Sequence, residues 1–141
     1  MRVYVYWNLQ VGGFSVQAAE GPSRGLIIAH ASEVMLRDVR THINHTARIK
    51  CLTSKKRVHA GFKGTLEALR GTITPTGLKA ISAPSLYTSA VVELTGKGRA
   101  VTYNPRRDQT FIHRDDGSEF SSAARVYCMT SEHGSADCYA L

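Results

Sequence analysis

The chain has 141 residues, 43% of them apolar and 21% charged, which suits one compact core and excludes the low-hydrophobicity, high-charge composition of a disordered protein. A net charge of +7 directs attention to anionic partners, and no apolar run approaches the ~18 residues of a membrane span. Three cysteines without CxxC spacing, behind an N-terminus that lacks a signal-peptide apolar core, fit a reducing cytoplasm. Cys51 and a Cys128–Cys138 pair are read as free thiols, buried or in an exposed tail, with a bridge left open.

Met1 to Leu9 alternates Val3, Val5 and Trp7 with Tyr4 and Tyr6, and Gly12-Gly13 turns it into Phe14 to Ala18, a hairpin pattern. Gly21-Pro22-Ser23 makes the next break. Gly25 to His30 and Ser32 to Val39 then read as a strand pair, antiparallel because so short a connection holds no crossover helix. From Thr41 to Arg57 the apolar positions Ile43, Ala47 and Cys51 fall near helical spacing, which predicts a short helix. His59 to Leu69 returns to strand, and Gly71 to Ala83 is a loop or protruding hairpin.

Gly96-Lys97-Gly98 reads as a turn joining strands at Ser89–Thr95 and Arg99–Tyr103, and Asp115-Asp116-Gly117-Ser118 as another turn. Ala123 to Met129 is the last predicted strand, and the small, polar tail from Thr130 to Leu141 is expected to order only against a partner chain. The fold expected is α+β: a mainly antiparallel sheet with one or two short helices, a single domain over residues 1–141.

Catalytic patterns are sparse. His42 and His45 lie three apart without HExxH or a cysteine pair, His30 and His59 sit in strand-like sequence as structural histidines, and Gly96-Lys97-Gly98 is too short for a phosphate loop. No metal and no cofactor are expected.

The binding pattern is stronger. Val101 to Phe111, VTYNPRRDQTF, carries Thr102, Asn104, Arg106 and Arg107 beside Tyr103 and Phe111, residue types that pair with phosphate, read a base or ribose edge and stack on flat rings. The same residues also admit a core role for the aromatics and a solvated one for the arginines. Residues 40 to 70 hold eight Lys and Arg against Glu67 alone, a solvated basic face or an anion site. Arg57 and Arg125 lie on other segments that a sheet could bring to the same ligand.

Three features together resemble the Thoeris anti-defence 1 family of phage proteins. They are Gly21-Pro22-x-x-Gly25 leading into Ile27-Ile28-Ala29-His30-Ala31, the basic run ending Arg57-Val58-His59-Ala60, and Val101-Thr102-Tyr103-Asn104-Pro105 leading to Phe111. The resemblance implies a sponge in the infected host's cytoplasm that binds cyclic ADP-ribose-type signals, and at a second site cyclic oligonucleotides, without cleaving them. It also implies dimers and hexamers with pockets at subunit interfaces. Thr102 and Asn104 carry over most directly, and Arg57 and Arg125 as phosphate partners. One departure is Leu26 where an arginine is expected after Gly25, so that either Arg24 just before the glycine substitutes for it or the second site is weakened. Alternatives from other classes are an enzyme that degrades such signals with His59 as general base, and a small basic nucleic-acid-binding protein. The second is opposed by a basic window that holds Phe62 as its one aromatic residue.

Overall fold

A computed structural model describes residues 1–8, 11–43, 60–71, 96–103, 111–131 and 136–141. Its strands, in chain order, are β1 (Arg2–Asn8), β2 (Gly13–Ala18), β3 (Ile27–Ala31), β4 (Glu33–Ile43), β5 (Ala60–Arg70), β6 (Arg99–Tyr103), β7 (Phe111–His113), β8 (Ser122–Thr130) and β9 (Ala136–Ala140). They form one antiparallel sheet ordered β3-β2-β1-β5-β4-β8-β9-β6-β7.

The period-2 pattern of β1 decides the layering. Val3, Val5 and Trp7 are buried while Tyr4 and Tyr6 take the opposite face. Trp7 meets Phe14 of β2 edge-on, with ring centroids 5.2 Å apart. One buried cluster runs from Val3 through Phe62 and Val126 to Phe111 and Phe120, so the strands at the far end of the sheet pack onto β1 and β5. Phe62 of β5 lies 4.8 Å from Phe111 and 5.6 Å from Tyr103, ring to ring. The sheet therefore curls over its own core. Each fully buried aliphatic or aromatic side chain there contributes about 1.5–3 kcal/mol.

Two register shifts interrupt the β4–β5 ladder, one between Met35 and Leu36 and one between Arg37 and Arg40. Asp38 in the second has a φ of 50°, a left-handed conformation, while the Arg37 carbonyl faces Gly64. Extra residues of this kind bend a strand and raise local twist, which is what a curled sheet requires.

The α+β expectation is corrected. Thr41, His42 and Ile43 continue β4, paired with Phe62, Gly61 and Ala60, and the rest of the predicted helix lies outside the described residues. The β-branched Thr41 and Ile43 suit a ladder, and the helical spacing of apolar residues here did not outweigh the pairing offered by β5. Gly96-Lys97-Gly98 lead into β6, and the strand they were expected to join to it lies outside the described residues. The strand expected at Ser89–Thr95 and the loop at Thr72–Ala83 lie outside the described residues.

The tail expectation is corrected too. β9 orders within this chain, between β8 and β6, because Cys138 and Ala140 alternate inward to the core. Cys128 and Cys138 stand directly opposite each other as buried free thiols. The neighbouring Cys128 thiol, and then burial, hold Cys138 well above the usual thiol range.

Candidate ligand-binding site

An open cavity of about 380 Å³ lies on the outer face of the sheet, lined by Tyr4, Gln17, Ala18, Ala19, Arg24, Gly25, His42 and Lys63. Its floor follows from strand register. Gln17 of β2 stands opposite Tyr4 of β1, Tyr4 opposite Lys63 of β5, and Lys63 opposite Arg40 of β4, so one row of side chains crosses four strands on the face away from the core.

Tyr4 lies flat because Gly61 lets it. A Cβ at Gly61 would stand 2.6 Å from Cε2 of Tyr4, so any larger residue would displace the ring. The Tyr4 ring meets Tyr6 at 5.6 Å and the edge of His42 at 5.3 Å with planes at 79°. Burial, and then Tyr6, raise the Tyr4 phenol well above its usual range, so it stays a neutral donor and acceptor at physiological pH.

The wall comes from the turn before β3. Gly25 has a φ of 88°, a backbone that favours glycine, and its N–H donates to the Ala18 carbonyl at 2.9 Å while the Arg24 N–H donates to Gly21 at 3.1 Å. This turn sets Arg24 at the rim, exposed, with Lys63 exposed on β5. No carboxylate lines the cavity among the described residues. His42 is lowered from the usual imidazole value by burial and then by Lys63. Two fixed cations, an imidazole, a phenol and an amide make a site for an anion attached to a flat polar ring.

The residues expected from sequence separate. Arg24 enters the cavity. Tyr103 and Phe111 are core residues stacked on each other at 4.9 Å, and the Tyr103 hydroxyl donates to the Ala60 carbonyl at 2.5 Å and accepts from the Trp7 amide at 3.2 Å. Their faces are covered by protein, so ring stacking on a ligand is corrected for this pair. Thr102 points away from the core on β6, opposite Ile112 of β7, and does not line the cavity. Arg125 forks onto Glu67, its Nη2 donating to Oε1 at 2.9 Å and its Nε to Oε2 at 3.3 Å, a pairing that already satisfies its charge. Arg57, Asn104, Arg106 and Arg107 lie outside the described residues.

Sequence reading missed Tyr4, Gln17 and His42 as site residues, and reached Lys63 only as one cation of the basic window at residues 40 to 70. The signal was present in part, since Tyr4 and Tyr6 alternate against Val3 and Val5 and so stand on the outer face. His30, read as structural, is satisfied: its Nδ1 lies 3.0 Å from the Ser15 hydroxyl, which also accepts from Asn8. Among the described residues no cluster of three or more His, Cys, Asp or Glu could hold a metal, and no helix is long and apolar enough to cross a membrane.

Comparison with known proteins points to phages. No solved structure matches the chain. The Gene 82 protein of Mycobacterium phage L5 is 28% identical over 138 residues, covering 93% of this chain and 92% of the relative. The family described as Mycobacterium phage L5 gene 82 protein matches residues 1–135. This match does not carry the Thoeris anti-defence resemblance, which rests on short motifs. With nearly the whole sheet inside the matched span, the chain belongs to the Mycobacterium phage L5 gene 82 protein family.

Proposed function

We propose that the protein is a phage sponge that captures a cyclic nucleotide signal of the host's immune response and holds it without cleaving it. The supporting observation is the outer-face cavity, where Arg24, Lys63 and His42 surround Tyr4 with no carboxylate among the described residues of the lining. Phosphate charge is met by the two cations, and a ring finds Tyr4 and the Gln17 amide. Capture by mass action requires affinity near nanomolar, about −12 kcal/mol, and an open cavity leaves one side of a ligand in solvent. Assembly into dimers or hexamers in the infected cell's cytoplasm is therefore part of the proposal, with a second copy closing the mouth.

The test is recovery. A cyclic ADP-ribose-type signal incubated with the protein and released by heating should return with its mass and retention time unchanged, whereas a hydrolysed product would replace the sponge with an enzyme. Arg24→Ala and Lys63→Ala should each weaken binding by about 1.5–3 kcal/mol, roughly tenfold to a hundredfold, with unfolding midpoints unmoved. Unchanged affinity in both would remove the cavity from the reading.

A further inference from the structure

Among the cavity's groups, His42 is the one whose charge changes near neutrality. Its surroundings are cationic. β1 presents Tyr4 against its ring, with Tyr6 behind, β5 presents Lys63, the turn before β3 presents Arg24, and its own strand carries Arg40. On the β8 side the neighbouring positions are Ser121 and Ser122, which carry no charge. Glu20, the acid of the turn, is engaged elsewhere, accepting from the Arg2 amide at 2.9 Å.

Among the described residues, an imidazolium at this place would face two cations of the cavity with no acid in its lining, which disfavours the charged ring in the free protein. A phosphate or phosphodiester entering between Arg24 and Lys63 reverses that balance, supplying the negative charge that the lining lacks. Resting on the reading of this cavity as a nucleotide site, we infer that His42 is a ligand-binding residue that takes one proton from solvent as the anion enters and meets it as an imidazolium. The partner class is an anionic phosphate ester joined to a flat ring. Affinity then rises with acidity, because binding and protonation strengthen each other by the same factor.

The experiment is titration calorimetry of the full chain with 3′,5′-cyclic AMP, whose phosphodiester keeps a single charge across about pH 5.5 to 8, and with adenosine as the uncharged control. For cyclic AMP, Kd should increase with pH, approaching about tenfold per unit where uptake is complete. Buffers of different ionisation enthalpy should report proton uptake approaching one, and adenosine should show none. His42→Gln should flatten the profile. In the wild-type chain, NMR should show the His42 ring titrating at higher pH once cyclic AMP is bound, an answer that needs no variant. A flat wild-type profile, or the same slope in His42→Gln, overturns the inference and leaves the sponge reading standing. No cyclic AMP binding at any pH overturns the inference together with the cavity it rests on.

Discussion

Tyr4 and Tyr103 are the same residue in two opposite settings. Tyr103 lies under the curled sheet with its hydroxyl held between the Ala60 carbonyl and the Trp7 amide, and its ring is stacked on Phe111. Tyr4 lies on the outer face, its ring over Gly61 and its hydroxyl without a hydrogen bond to a described residue, inside a cavity rimmed by Arg24 and Lys63. A phenol whose polar end is already satisfied fastens strands together. One whose polar end meets no described residue can turn to a ligand. Aromatics beside arginines in the sequence therefore do not identify a site; the face on which the strand places them does.

The comparison breaks most sharply at Tyr103. Tyr103→Ala should cost about 3–5 kcal/mol in denaturant unfolding, and Tyr103→Phe about 1–3 kcal/mol by stranding the Trp7 amide and the Ala60 carbonyl. Tyr4→Phe should leave the unfolding midpoint nearly in place while weakening cyclic AMP binding. If Tyr4→Phe destabilises as much as Tyr103→Phe, the two tyrosines are not the contrasting pair described.

Gly61→Ala sharpens the outer-face half. The added methyl meets both the Tyr4 ring and the Val5 backbone, and overpacking of this kind costs about 1–3 kcal/mol. Thermal unfolding should report that loss, and the ring resonances of Tyr4 should shift, with those of Tyr103 unmoved.

The smallest effect is the pH dependence of the free protein. Burial and Lys63 hold His42 below its unfolded value of about 6.5, so the unfolded chain binds more protons between the two values. Stability from this group is present above about pH 6.5 and is lost as pH falls through the folded value. Urea midpoints should rise modestly from acidic to neutral pH in the ligand-free chain, and His42→Gln should reduce that rise.

Local pattern made some of this legible. Strict alternation in Val3-Tyr4-Val5-Tyr6-Trp7 marks both a strand and its two faces, and Gly12-Gly13 marks the hairpin. The same alternation in Val101-Thr102-Tyr103 assigns Tyr103 to the core beside Val101, a signal outweighed by the attraction of the arginines that follow. Arg24 was reached only through the resemblance, as the stand-in for an arginine expected after Gly25. Lys63 and His42 were not legible as site residues, because their approach to Tyr4 depends on β1 pairing with β5 and β5 with β4, and pairing between distant strands leaves no local signature. The helical reading misled at Thr41 to Ile43 for the same reason, since a long-range ladder takes those three residues.

The placement of β9 bears on how the chain comes to hold its shape during synthesis. β6 and β7 reach the rest of the sheet's hydrogen-bonded ladder through β9, which is made after both. Among the described residues no other strand ties β6 to the sheet, so until β9 has left the ribosome the ladder that carries Tyr103 over Trp7 and Ala60 is incomplete. Among the described residues β9 functions as a keystone, joining two strands made before it to a sheet also made before it.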